Sequence, residues 1–313
     1  MNRNDLSSIR ADRRSIKRAI LARNPEWQPP KSQTWRAAHD IAFDWLSIFF
    51  SIWAVHRIGW ALTPIALLVV GNRQRALGNL LHEASHGNLS AQRQINDYFA
   101  HLLLAPPLLN SLSVYRVQHA HHHAWLGNPQ LDPDILVQPT RKGDQWFHVY
   151  AGCLMKSSMF RSSLAGHFSG GNLNHRQQCG ILTWWLVVGL SMASINLDFA
   201  LLFGALWFGA RITAFHAITM FREMTDHYGL KPGSIFSFTR DIPDHGLPSA
   251  LLHPHHNGYH LTHHLFPTVP YYQLPDLHAQ LSVLHEYSDR AIVCPAYLTG
   301  SPAGVHGWGA NHG

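Results

Sequence analysis

Apolar residues fall in two long blocks, with polar, histidine-containing sequence between and after them. From Ala37 to about Leu77 the chain is mostly apolar, through Ile48-Phe49-Phe50, Ile52-Trp53-Ala54-Val55 and Ile65-Ala66-Leu67-Leu68-Val69-Val70, and it is apolar again from Ile181 to Met220. Each block far exceeds the ~20 residues that cross a bilayer as one helix, so each predicts a hairpin of two spans. The first turns near His56-Arg57. An arginine at the bilayer centre costs about 2.5–3.5 kcal/mol on insertion scales, and an interface position avoids that. The second turns at Ser194-Ile195-Asn196-Leu197-Asp198.

The same pattern sorts the rest of the chain. Leu6, Ile9, Ile16 and Ile20 recur among arginines over residues 5 to 22 and predict a short helix lying on a membrane surface. Tyr98 to Val114 is apolar but interrupted by His101 and Pro106-Pro107, which fits an interfacial or partly inserted segment. Residues 145 to 165 are amphipathic, and 166 to 180 read as a glycine-rich loop. Past Leu230 the sequence is polar and proline-rich, and after Ala303 a glycine-rich tail is expected to be poorly ordered. The chain thus divides into a basic, interfacial arm (1–36), a membrane domain (37–290) and a C-terminal tail (291–313). The fold class is all-α and multi-spanning: four transmembrane helices in two hairpins, with a cytosolic helical cap.

Composition supports a chain partly in lipid and partly in water. Charged residues make up 13% of the 313, against about a quarter in an ordinary soluble domain, and eleven are tryptophan. A mean hydropathy of -0.10 argues against a bundle made only of spans. The net charge of +6 comes largely from Arg3, Arg10, Arg13, Arg14, Lys17, Arg18 and Arg23. Such an arm suits anionic lipid. It lacks the stacking platform of a nucleic-acid binder, so no nucleic-acid partner is expected. Nearly all other Lys and Arg lie outside the hairpin turns, which puts both termini and the histidine-rich segments on the cytoplasmic side. Cys153, Cys179 and Cys294 form no Cys-x-x-Cys pair and read as buried, inert thiols.

Histidine carries the candidate chemistry. The spacing His-x-x-His-His occurs as His119, His122, His123 and again as His260, His263, His264, with a related pair, His82 and His86, before them. Positions i, i+3 and i+4 share one helix face, so each cluster aims its imidazoles at a single point. With 25 histidines in the chain a single match is within reach of chance, and it is the repetition that carries signal. His121 points to a different face. His227, at the end of the last span, can reach the same cage. Imidazole suits iron, copper, zinc and nickel alike, and nine candidate ligands exceed what one ion needs. Glu83, Glu223, Asp226, Asp132 and Asp134 are placed to accept the remaining ring N–H groups, and Glu223, one turn before His227, can also bind through a water.

The three clusters in this order, with one hairpin before the first and another between the second and third, resemble the membrane-bound fatty acid desaturase and hydroxylase superfamily. The ending His260-Leu261-Thr262-His263-His264-Leu265-Phe266-Pro267 is especially similar to its third histidine box. The resemblance covers roughly residues 40 to 270. It implies that His82, His86, His119, His122, His123, His260, His263 and His264 ligate two iron ions, with His227 the ninth ligand and no catalytic residue beyond the metal centre. It also implies dioxygen as co-substrate and desaturation or hydroxylation of an aliphatic C–H bond on an acyl or lipid-like substrate. The sequence shows no haem, flavin or iron–sulfur motif, so a ferredoxin or cytochrome b5-like donor with its reductase is expected. Two other readings stay open. His82-Glu83-Ala84-Ser85-His86 fits an intramembrane zinc metalloprotease with Glu83 as general base and the acidic turn at Asp132 as third ligand, and a histidine-rich metal transporter is the other.

Overall fold

The structure is a computed structural model and describes residues 3–136 and 145–309. The described residues are helical with no strand; one parallel bridge joins Asp241 to Val293. They form two compact units, one from Gln33–Arg116 and Gly152–Met220, the other from the segment up to Ser32, Val117–Ala151 and the chain from Phe221 on.

In the first unit, helices Thr34–Ile58 and Thr63–His86 pack as a hairpin that turns through Gly59 and a short 3-10 turn at Trp60–Leu62. Gly59 has φ +130°, a conformation that L side chains rarely adopt. The break comes directly after His56-Arg57, where the hydropathy pattern puts it. The facing stripe is Ile41, Ile48, Ile52 and Val55, all buried, with Asp44 among them. Asp44 is paired at 2.9 Å with Arg73 of the second arm. A second hairpin joins His175–Ile195 to Leu197–Ala210 at Asn196, whose side chain accepts the Phe199 N–H (2.8 Å) and caps the returning helix.

Among the described residues three helices are long and apolar enough to cross a membrane: Thr34–Ile58, His175–Ile195 and Leu197–His227. Thr63–His86 is long enough but carries Asn72, Arg73, Gln74, Arg75 and Asn79 through its middle. Along His175–Ile195 only Ile181 is buried, and Leu182, Leu186, Val187 and Leu190 are exposed. Cys179 is exposed on this same helix, so only two of the three thiols are buried as expected. The loop expected over 166 to 180 ends early, at Asn174. Asn174 accepts the Gln177 N–H (3.0 Å) while Gln177 Oε1 accepts the Asn174 N–H (2.9 Å), a reciprocal cap that starts the helix at His175 despite the preceding glycines.

The segment from Tyr98 to Val114 holds a π-helical turn at Ala100–Leu104 before the helix Leu112–Ala124 begins. Pro106 and Pro107 have no N–H to give to the carbonyls of Leu102 and Leu103 four residues earlier. Tryptophan indoles give it instead: Trp184 donates to Leu102 O (2.8 Å) and Trp45 to Leu103 O (3.1 Å), while Trp185 donates to Pro106 O (3.2 Å). A second π-helical turn, Arg211–Phe215, lies against Gly71 so closely that a Cβ there would stand 2.6 Å from Phe215 N.

The second unit gathers both chain ends. Helix Arg3–Arg23 buries Ile9, Ile16 and Ile20 against the short helices Ile235–Phe238, His260–Leu265 and His285–Ser288. The stripe expected on a membrane surface is thus spent on protein, because the same i, i+3/i+4 face also carries groups that bond there. Asp12 accepts the Ile235 N–H (2.9 Å) and pairs with Arg290, and Ser8 Oγ donates to Gly233 O (2.6 Å). The side chain of Leu6 lies outside those described. The tail expected to be poorly ordered is held through residue 309: Trp308 is fully buried, and Arg240 donates to Gly304 O (2.7 Å), His306 O (3.2 Å) and Tyr228 O. Its last four residues lie outside those described.

Candidate metal centre

A six-residue helix, His260–Leu265, is too short to hold itself, and each of its residues is buried. Its Thr262 is the anchor. Buried Asp241 accepts the Thr262 N–H (3.0 Å) and its hydroxyl (2.5 Å), together with His278 Nδ1 (2.9 Å) and Tyr287 OH (2.7 Å). With Thr262 tied on one face, His260, His263 and His264 project from the other. Helix Leu112–Ala124 brings His119, His122 and His123, and helix His216–His227 ends on His227.

Seven of the nine candidate histidines come together in this unit, in two donor sets. His122, His227, His260 and His264 each offer a ring nitrogen within 4.8 Å of the others. Their Nε2 atoms face one another, at 3.3 Å for His122–His264, 3.0 Å for His264–His260 and 2.9 Å for His260–His227. In the other set, His123 Nε2 lies 2.9 Å from His119 Nε2 and 3.2 Å from His263 Nε2. An ion bound ~2.1 Å from each nitrogen separates neighbouring donors by roughly 3.0 Å in an octahedron and roughly 3.4 Å in a tetrahedron. The spacings therefore fit the edges of a coordination shell. Burial and the facing imidazoles hold His260 and His264 well below the usual histidine pKa, so both rings are neutral at pH 7, the form in which imidazole can bind a metal.

Several rings are oriented from behind. His122 Nδ1 bonds Asp132 (2.8 Å), whose other oxygen accepts the Gly127 N–H (2.7 Å), and His227 Nδ1 donates to Phe238 O (2.7 Å). Asp226, held by Arg222 at 2.8 Å, stands 3.7 Å from His260 Nδ1, and Asp134 stands 3.9 Å from His122 Nδ1, both beyond hydrogen-bond distance. Glu223 is half-buried one turn before His227. His121 is exposed, as its position on the other helix face predicts.

His82 and His86 belong to the first unit, on the last turns of Thr63–His86, with ring centroids 5.1 Å apart. Glu83 between them is buried and accepts from His82 Nδ1 (3.1 Å) and Asn88 Nδ2 (3.0 Å).

Residues 58–293 match the sequence profile of the family described as fatty acid desaturase. The chain belongs to that family. As a desaturase-family oxidoreductase it is similar to the dihydrorhizobitoxine desaturase of Bradyrhizobium elkanii, 26% identical over 297 residues, covering 88% of this chain and 83% of the relative. It is also similar to the endoplasmic reticulum omega-3 fatty acid desaturase of Nicotiana tabacum, with 25% identity, 71% of this chain and 65% of the relative. A third relative is the sn-1 acyl-lipid omega-3 desaturase (ferredoxin) of Synechocystis sp., with 23% identity, 76% of this chain and 74% of the relative.

Membership in the desaturase family sets the metalloprotease and transporter readings aside. The geometry agrees for the first, since Glu83 is bonded to His82 and Asn88, and Asp132 bonds both His122 and the Gly127 amide. Sequence reasoning missed Arg13, which reaches His123 Nδ1 (3.2 Å), and the Asp241 group behind Thr262. Arg13 left a trace in the sequence. It sits at i+4 from Ile9 and i−3 from Ile16, inside the apolar stripe, whereas Arg10, Arg14 and Arg18 do not share that face.

Proposed function

We propose that this desaturase-family enzyme uses a di-iron centre to oxidise an aliphatic C–H bond, by desaturation or hydroxylation, on a fatty acyl or lipid-like substrate. The observation that carries the reading is the set of four imidazoles, buried His122, His260 and His264 and half-buried His227, with facing Nε2 atoms 2.9–3.3 Å apart. In this reading His119, His123 and His263 belong to a second iron site, and His82 and His86 keep the ligand role that the family resemblance implies. Two irons supply shared electron transfer for dioxygen activation, which attack on an unactivated C–H bond requires. The chain's part is to keep His260 and His264 neutral, orient His122, His227 and His82 through Asp132, Phe238 O and Glu83, and bury most of the rings from water.

Desaturation by this route consumes one dioxygen, two electrons and two protons and yields a C=C bond and two waters. The electrons come from a separate ferredoxin or cytochrome b5-like donor with its reductase, a proposal supported by the ferredoxin in the name of the Synechocystis relative. We further propose four spans in two hairpins, Thr63–His86 being the fourth, with both termini and all the histidine clusters on the cytoplasmic side. Exposed apolar surface along His175–Ile195 and the lack of Lys and Arg at the second turn support this.

Metal analysis of the purified chain, with mass spectrometry of lipid and polar extracts from an expressing host, tests the reading. The polar fraction is included because one relative is named for dihydrorhizobitoxine. About two irons per chain and products changed by two hydrogens or one oxygen are expected. His264→Ala should lower iron and turnover together, and His121→Ala should change neither. One zinc per chain, or an iron-free active enzyme, would sink it.

A further inference from the structure

The helix Arg3–Arg23 has two faces of opposite character. Ile9, Asp12, Ile16 and Ile20 are buried within the unit that also holds seven of the candidate ligands. On the outside, Arg10, Arg14, Lys17 and Arg18 stand at i, i+4, i+7 and i+8, the spacing of one helix face, and all four are exposed. From residue 7 to 23 the one acid is Asp12, which is turned inward and paired with Arg290. Among the described residues no carboxylate pairs with any of the four. Like charges one helical turn apart repel, so the stripe works against the helix that bears it. An anionic partner from outside would relieve it.

The structure favours a protein over lipid as that partner. A helix lying on a membrane presses an apolar face into it, and here the apolar face is spent inside the protein. No large apolar side chain from residue 7 to 23 is exposed. Position narrows the kind of protein. Arg13, on the same helix, donates from Nε to His264 O (2.9 Å). The outer stripe is therefore one helix diameter, about 10–12 Å, from the backbone of a candidate ligand. Electron transfer between proteins falls off steeply with distance, and a carrier seated on this stripe comes close without entering the fold.

We propose that the exposed face of the N-terminal helix is the docking surface for the electron donor, an acidic one-electron carrier protein. Opposite charge steers the encounter and makes it sensitive to salt. Each encounter oxidises the reduced carrier by one electron and reduces the enzyme by one, so two encounters supply the pair that a turnover needs. The helix lies outside the matched family region 58–293, so family membership does not by itself supply this surface. The proposal rests on the metal-centre reading above, and its test separates the two.

The full chain is placed in nanodiscs of phosphatidylcholine, and binding of two acidic carriers, a plant-type 2Fe–2S ferredoxin and the soluble haem domain of a cytochrome b5, is measured at low and high salt. Wild type should bind at least one of them, more weakly at high salt. The variant carrying Arg10→Gln, Arg14→Gln, Lys17→Gln and Arg18→Gln together should bind it about 10- to 100-fold more weakly at low salt. A variant carrying Lys156→Gln, Arg161→Gln and Arg176→Gln, which removes exposed cations of the other unit, should stay within about 2-fold of wild type. Equal losses in the two variants would mean that charge acts diffusely, and would overturn the proposal. So would carrier binding unchanged by the four substitutions, with phosphatidylserine in the discs slowing hydrogen exchange of the helix in wild type alone; the stripe would then belong to anionic lipid. If the four substitutions together abolish a cooperative melt, the same criterion is read on Arg14→Gln with Arg18→Gln. Reduction of the iron-loaded chain by dithionite, a small reductant that needs no docking, should be equal in wild type and the four-site variant. A wild type that dithionite cannot reduce overturns the metal-centre reading, whereas a reducible wild type that binds neither carrier overturns the docking surface alone.

Discussion

His167 shows how one half-buried ring can make stability depend on pH. Its Nδ1 accepts the Ser111 N–H (3.1 Å), and burial pushes its pKa down to about 4. An unfolded histidine titrates near 6.5, so between pH 6.5 and about 4 the unfolded chain binds the extra proton and the folded one does not. Stability contributed here is complete above pH 6.5 and is lost as pH falls toward 4. Replacing His167 by Gln should flatten the fall in melting temperature over that window, leaving the part due to other buried histidines. An unchanged slope would show that the ring is hydrated in solution. At this scale the sequence was informative where spacing decides direction: it separated exposed His121 from buried His122 and His123. It was silent where a side chain meets something distant. Helical periodicity tells which way Thr262 and Arg13 face, and says nothing of Asp241 or His123 opposite them.

At the scale of elements, hydropathy and chain length located both hairpins, because a bilayer-length helix leaves a plain periodic trace and its turns need interface residues. The boundaries set by side chains were harder to see. Asn174 and Gln177 start a helix within what composition reads as a loop, and Pro106-Pro107 become tolerable only because tryptophans from helices far along the chain donate to the stranded carbonyls. That arrangement gives a prediction. Trp184→Phe keeps most of the ring but leaves Leu102 O without its donor, and it should cost about 1–3 kcal/mol, read as a lower unfolding midpoint in detergent. No change in the midpoint would mean that water or lipid headgroups already serve this carbonyl.

At the scale of the whole molecule, one unit contains neither chain end and the other is made from three segments that include both. The C-terminal tail belongs firmly to the latter. Trp308 is fully buried, with Phe221 at 5.3 Å and Tyr228 at 6.3 Å between ring centroids. Gly307 (φ +83°) packs on Gly229 (φ +76°), and a Cβ on Gly229 would stand 2.5 Å from the Gly307 carbonyl carbon. Trp308→Ala should therefore destabilise the protein by about 3–5 kcal/mol, as for other buried tryptophans, measurable by chemical denaturation. A loss below about 1 kcal/mol would restore the disordered tail that glycine content suggested. Composition misled here because glycines that permit close backbone approach look the same in sequence as glycines that loosen a chain.

The seat of the N-terminal helix also dictates an order of events during synthesis. Asp12 pairs with Arg290, a separation of 278 residues, so the helix leaves the ribosome long before its partners exist. At about 5–20 residues per second the wait is roughly 15–55 s. Through that interval a nascent helix with an apolar stripe and a row of arginines is suited to rest on an anionic membrane surface. Its interfacial character then belongs to the growing chain, and its docking on Arg290 waits until translation has delivered that residue.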